Sequence, residues 1–312
     1  MRTVWTMGFV AAAALSFAFP DFIVFRFTQA TIWTLALLGL VLLCGVSGQF
    51  SFAQAALFGM GAYSAALVVN HTVLPVYAAL LVAPLVGYAA GYGLGRVAGQ
   101  HDMWTQALIG YALAIAFPQL LRWQPIAPWT GGVSGLYLDL PAAPFKGLSA
   151  DRWLFLLSLA LLGGGTWLIA NILRSRSGRA LVAARDHDLA AGAQGIDVVS
   201  VRAIASGLAG SCLALAGSLS AMQYGYVGPT AYNFALSVQM LFGLVVGGMN
   251  SIVGALIGGV MLEFLPGWIA GLGKGLSALL YAVLMIAAIV AMPNGIAGLL
   301  KRRRSPRRLS SP

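Results

Sequence analysis

Charge is scarce in this chain. Only 8% of its 312 residues are Asp, Glu, Lys or Arg, against about 25% in soluble domains, whose outer shell must be wetted. Acids are scarcer than bases, 8 against 18. Cysteine is almost absent: Cys44 and Cys212 fall in separate apolar stretches, where a thiol behaves as a small hydrophobe, so neither a disulfide nor a thiolate metal site is expected. His71, His101 and His187 lie too far apart in sequence for ligand spacing. No nucleophile, base and orienting group fall into a catalytic pattern either. These shortages exclude a water-soluble fold, a disulfide scaffold and a metal or hydrolytic centre.

What the chain has is apolar length. Hydrophobic residues make up 60% and the mean hydropathy is +0.87, so the solvent of this fold is a bilayer. The 39 glycines and many alanines suit helices that pack closely without a hydrophobic drive between them. Windows of about 20 apolar residues, one crossing each, fall near 4–20, 29–48, 52–70, 73–95, 104–122, 153–173, 203–222, 236–249, 251–271 and 276–292. The third and eighth are interrupted or short. The fold class expected is an all-α polytopic membrane protein, a bundle of about ten transmembrane helices, with eight as the alternative count. The first span, preceded by Arg2, also fits a signal peptide with Ser16 and Ala18 as its small cleavage-site residues.

The net charge of +10 does not point to nucleic acid, because the bases cluster at the ends of apolar spans, where they orient a membrane protein. Arg174, Arg176, Arg179, Arg185 and Arg202 mark one cytoplasmic segment; Lys301, Arg302, Arg303, Arg304, Arg307 and Arg308 mark another. Ten crossings then place both termini in the cytoplasm. Residues 123–152, with Pro125, Pro128, Pro141 and Pro144, and residues 223–235, with Pro229, fall outside. The division expected is one transmembrane domain, 1–300, and a basic tail, 301–312, that touches water or anionic headgroups.

Residues 174–202 are the longest cytoplasmic loop. Within it, 179–191 mix Ala and Leu with Arg185, Asp186 and Asp188, which favours a short helix stopped by Gly192 and Gly195. Its small residues, Ala180, Ala183, Ala184, Ala190 and Ala191, fit either a docking surface for another protein or an interfacial cap on the bundle.

The loop SRSGRALVAARDHDLAAGAQGIDVVSVR at 175–202 resembles the cytoplasmic loop of ABC importer permeases, and in detail that of branched-chain amino acid permeases of the LivM type. GVSGQFSFAQAALFGMGAY at 45–63, TGGVSGL at 130–136 and GYVGP at 225–229 are similar to further signatures of that family. The resemblance runs from about residue 35 to residue 300. QHDMWTQALIGYALAIAF at 100–117 departs from it, with Trp104 and Ile109 where a tyrosine and threonine pattern is usual.

The resemblance implies a coupling helix in which Gly178, Arg179, Ala184, Arg185, Asp186, Ala190, Ala191 and Gly195 receive motion from an ATPase. It further implies ATP and Mg on separate ATP-binding subunits, a second homologous permease, a periplasmic solute-binding protein and a place in the bacterial inner membrane. The cargo implied is a branched-chain or related amino acid, with urea, short amides or small aromatic acids as alternatives on the same scaffold. No cofactor is expected on this chain: Gly273 and Lys274 lack the flanking residues of a phosphate loop. A secondary transporter or channel is the alternative of another class.

Polar groups inside apolar spans each carry a functional hypothesis. Gln49, Ser51 and Gln54, beside Gly48, fit a broken helix facing solute or hydrogen bonds between helices. Glu263 fits a pathway or a packing role, and Thr130 and Ser134 complete the pathway candidates. Trp129 and Tyr226 fit interface anchors or an entrance. The pairs Gly87/Gly91, Gly243/Gly247 and Gly254/Gly258 have the small-residue spacing that brings helices together.

Overall fold

A computed structural model describes Ala13 and residues 19–72, 74–138, 148–270 and 295–298. Nearly all of the expected first span, the last span, Pro141, Pro144, Gly273, Lys274 and the tail 301–312 lie outside the described residues.

Each of the other eight expected spans holds one helix. α1 is Asp21–Leu40, continued as a π-helix over Val41–Val46; α2 is Gln54–His71, α3 Ala79–Ala98 and α4 Met103–Arg122. After α5, Ala150–Arg174, come two short helices, α6 Arg176–Asp186 and α7 Asp188–Ala193. α8 is Val198–Tyr224, α9 Phe234–Gly247 and α10 Ile252–Ala270. Among the described residues, five helices are long and apolar enough to cross a membrane, those containing α1, α3, α4, α5 and α8. At 1.5 Å per residue the 27 residues of α8 run about 40 Å, enough to join two opposite ends of the bundle.

α1 begins at Asp21, eight residues before its expected start. Asp21 and Arg26 look like a polar boundary in the sequence, but each is neutralised: Asp21 by Arg152 at 3.2 Å and Arg26 by Glu263 at 3.1 Å. Pairing offsets part of the desolvation cost of each charge, and Asp21, at the helix start, stays half exposed. α1 is then the axis of the fold, packed by α5, α8, α9 and α10, with Ile32, Leu35, Leu37 and Leu38 fully enclosed. Around it the outer helices turn apolar side chains outward, among them Leu81 and Leu85 on α3, Leu108 on α4 and Trp167 on α5. Water would penalise such a surface; lipid does not.

The helices approach through glycine. A Cβ on Gly87 of α3 would strike the Gly210 carbonyl of α8, and one on Gly247 of α9 would strike that of Gly254 on α10. This backbone proximity is what the four-residue spacings in the sequence point to. Two two-residue strands, β1 Leu136–Tyr137 and β2 Tyr226–Val227, pair antiparallel with Leu136 opposite Val227. They join the 130–136 and 225–229 motifs at the end of the bundle where α8 finishes.

Candidate functional site

At the other end, where α8 begins, the chain breaks. α1 widens into the π-helix, so that Ser47 N–H bonds the Leu42 carbonyl at 3.0 Å, and Gly48 follows in the left-handed region at φ +69°. π-turns insert one extra residue and recur where a helix must deform. Residues 47–53 are non-helical until α2 starts at Gln54. Gln49 donates to Ser47 Oγ at 2.9 Å and to the Arg202 carbonyl at 3.0 Å, and its Oε1 accepts from Ser206 Oγ at 3.4 Å. Ser51 Oγ accepts from Ala53 N–H at 3.2 Å, and Gln54 Nε2 donates to the Ser51 carbonyl. Gln49 thus closes a contact between helices. The buried Gln54 Oε1 keeps no partner among the described residues.

The loop 175–202 lies under this break. It forms two helices in place of the single one expected over 179–191: Ser175 Oγ accepts from Gly178 N–H at 3.3 Å and starts α6, the backbone opens at His187, and α7 ends before Gly195 at φ +81°. Gly178, Leu181 and Ala184, three or four residues apart, are buried against the bundle, as is Ala191. Arg179, Val182, Asp186, Leu189, Ala190 and Gly195 face outward, and Leu189 is 91% exposed.

Two arginines tie loop to bundle. Arg185 donates from Nη1 to the Gly45 carbonyl of the π-helix at 2.7 Å and to Asn250 Oδ1 at 3.4 Å, while its Nε pairs with Asp186 at 3.2 Å. Its aliphatic stem fills the space where Gly48 would carry a Cβ. Arg202 reaches Asp188 at 2.6 Å and the Ala184 carbonyl at 3.2 Å, while its own carbonyl holds Gln49. The short turn between α9 and α10, which contains Asn250, therefore shares one cation with the π-helix. Arg202 and Asn250 were not picked out by motif; Arg202 had entered only as an orienting charge.

Aromatic contacts lead from the break into the bundle: Phe50 on Phe52, Phe52 on Phe234 and Phe234 on Tyr111, with ring centroids 5.2, 5.3 and 4.8 Å apart. Ala55 N–H donates to Ser237 Oγ at 3.0 Å, fixing α2 to the start of α9. Above Phe234 a cavity of about 380 Å³ opens between the second half of α4 and residues 229–234. Thr130 and Ser134 lie beyond it at the strand-bearing end. Thr130 Oγ1 bonds the Leu121 carbonyl at 2.7 Å, and the exposed Ser134 accepts from Tyr226 Oη at 3.1 Å through its carbonyl. Trp129, largely exposed, stacks near His71. Glu263 is remote from these: it joins α10 to α1 through Arg26, which also donates to the Glu263 carbonyl and lies 4.5 Å from the Phe264 ring. The pathway candidates thus divide between the break, the strand-bearing end and a helix–helix contact.

The structure is a helical bundle with membrane-length apolar helices, an interrupted first helix and a short helical loop clamped to that interruption, features that solute permeases combine. The chain belongs to the family of permease components of branched-chain amino acid transport systems, whose sequence pattern it matches over residues 22–289. It is 26% identical to the high-affinity branched-chain amino acid permease LivM of Salmonella typhimurium over 86% of this chain and 68% of that one. It is 24% identical to BraD of Pseudomonas aeruginosa, over 87% and 93% of the two chains. LivH of Salmonella typhimurium is 25% identical, over 87% and 92%. No solved structure matches the chain.

Proposed function

We propose that the chain is the permease subunit of an ABC importer that carries branched-chain or related amino acids across the bacterial inner membrane. It would work with a second homologous permease, a periplasmic solute-binding protein and two ATP-binding subunits that hold ATP and Mg. In this reading ten helices cross the membrane, both termini are cytoplasmic, and the loop end of the bundle is the cytoplasmic one. α6 and α7 form the coupling helix, presenting Arg179, Val182, Asp186, Leu189, Ala190 and Gly195 to the ATPase.

The observation that carries this is the double anchoring of Arg185. A helix that only capped the bundle would have no need to send its one inward cation into a π-turn and the α9–α10 turn together. Held as it is, a push on α6 moves both interrupted elements at once, which alternating access requires. The relatives named LivM, BraD and LivH are permease proteins of branched-chain amino acid transport systems, which supports the cargo. An ion-coupled carrier is expected to have a charged group facing its pathway; here Glu263 is paired with Arg26 between α1 and α10.

The experiment is reconstitution of the chain with its partner subunits in proteoliposomes. Leucine uptake that depends on ATP and on every subunit is the expected result. Uphill leucine transport by the purified chain alone would overturn the proposal.

A further inference from the structure

The cavity above Phe234 is lined by a cation that meets no carboxylate among the described residues. Arg26, Arg152, Arg185 and Arg202 each meet a carboxylate at 2.6 to 3.2 Å. Arg122, the last residue of α4, lines the cavity and meets none among the described residues; its Nε is buried without a hydrogen-bond partner, as are those of Arg152 and Arg202. An arginine that merely anchored α4 at a membrane interface would turn its polar atoms to water. At Arg122 the Nε is instead buried, and the Thr130 hydroxyl bonds the neighbouring Leu121 carbonyl, folding the following chain back beside the helix end.

A second positive element faces the same space. The 14-residue α9 starts at Phe234, and Asn233 caps it by accepting the Leu236 N–H at 3.2 Å. The other N–H groups of the first turn have no intrahelical acceptor, and their dipoles favour an anion. Guanidinium and helix N-terminus therefore border one cavity, whose other wall is apolar at Ala114, Ile115, Pro118 and Pro229 and polar at Gln119. Thr230 lies at the rim with a hydroxyl to donate or accept. The volume, about 380 Å³, falls in the range of pockets that hold small ligands, roughly 300–1,000 Å³.

We propose that this cavity is a cargo subsite in the permease itself, in which Arg122 and the N-terminus of α9 bind the carboxylate of an amino acid while Ile115, Pro118 and Phe234 receive its apolar side chain. This rests on the permease reading above and narrows it. Urea and short amides carry no charge to offset Arg122, so they fit the site poorly, whereas amino acids and small aromatic acids present the required anion. Charge sets the binding and the apolar wall tolerates variation, since a hydrophobic pocket discriminates weakly between side chains of similar size.

The test uses the assembled complex in proteoliposomes. Arg122→Gln should raise the KM for leucine by at least about tenfold, and Arg122→Lys, which keeps the charge but loses the planar fork, by about threefold or less. In parallel, Thr230→Cys is labelled with a water-soluble maleimide; the native Cys44 and Cys212 are buried. Leucine at millimolar concentration should slow labelling several-fold, leucinamide should not, and Arg122→Gln should abolish the protection. Equal protection by leucine and leucinamide, or an unchanged KM in Arg122→Gln while the unaltered complex still imports leucine, overturns the subsite and leaves the permease reading intact. If the unaltered complex imports urea and no amino acid, the cargo reading fails with it.

Discussion

The two ends of the bundle are organised around one arginine each, and they are opposites. At the loop end Arg185 is engaged on two elements: Gly45 and Asn250 accept from its Nη1 and Asp186 from its Nε, and Gly48 makes room for its stem. At the strand end Arg122 is unspent, with a buried N–H lacking a partner among the described residues and a cavity before it. A saturated contact transmits force because any displacement breaks several bonds at once. An unsaturated one is costly to maintain and repays its cost only when a ligand arrives. The difference separates the part of the molecule that is pushed from the part that binds.

The comparison breaks most visibly at Arg185. Reversal to glutamate removes a charge-assisted bond to the Gly45 carbonyl and sets a carboxylate against that oxygen. Losing a hydrogen-bonded, partly desolvated charge costs about 2–5 kcal/mol, so ATP-driven uptake should fall by at least about thirtyfold. The protein should remain inserted and the ATPase should still turn over, uncoupled. Uptake and ATP hydrolysis measured on the same proteoliposomes check this; normal uptake would remove Arg185 from the coupling path.

A smaller effect separates backbone strain from packing. Gly48 and Gly195 both have positive φ, +69° and +81°, but only Gly48 lies against another side chain, the stem of Arg185. Valine at either position should cost roughly 1–2 kcal/mol for the left-handed backbone. At Gly48 it should also displace Arg185 and carry part of the Arg185→Glu phenotype. Gly48→Val should therefore melt at a lower temperature than Gly195→Val and also take up far less leucine. If Gly195→Val proved equally inactive, strain in the loop and not the Arg185 contact would set coupling.

Much of this architecture was legible in the residues because a bilayer leaves so few solutions. Apolar runs placed eight helices to within a few residues at most ends, and glycine spacing marked α3 and the α9–α10 hairpin as close-packing elements. What was hidden depended on partners distant in sequence. The start of α1 was misplaced because Arg26 and Glu263 lie 237 positions apart, and neither residue alone reveals the pairing. The π-helix leaves no mark in VLLCGV, an apolar string that suits any helix. The loop motif identified Arg185, but small residues alone did not tell Ala184 and Ala191, which face the bundle, from Ala190, which faces out. Arg122 passed as an ordinary terminal base, since nothing local shows that it meets no carboxylate among the described residues.

Glu263→Gln tests a contact that belongs to neither end. Arg26 would keep its bond to the Glu263 carbonyl and its place by the Phe264 ring, so the expected loss is about 1–2 kcal/mol, below that for a fully buried pair. That corresponds to roughly 1.5–3 °C in melting temperature for a chain of this size. Uptake should keep its pH profile. A changed profile would instead show that Glu263 takes part in proton coupling.

The smallest effect is expected at the edge of the loop end, where Asp197 caps α8 by accepting from Ser200 N–H at 3.1 Å and Ser200 Oγ at 2.6 Å. These bonds, the side-chain one first, hold its carboxyl below the usual carboxylate range. The sign follows from that lowering: the cap is fully formed above the ordinary carboxylate value of about 3.9 and weakens as pH falls through the lower folded value. The protection factor for amide exchange at Ser200 should therefore stay constant at pH 5–7 and drop in stronger acid, while Asp197→Ala should show low protection throughout. Because Asp197 is fully exposed, neither change should disturb the Gln49–Arg202 bond one turn further along α8. Loss of that bond on removing the cap would mean that the saturated end is held together less independently than its hydrogen bonds indicate.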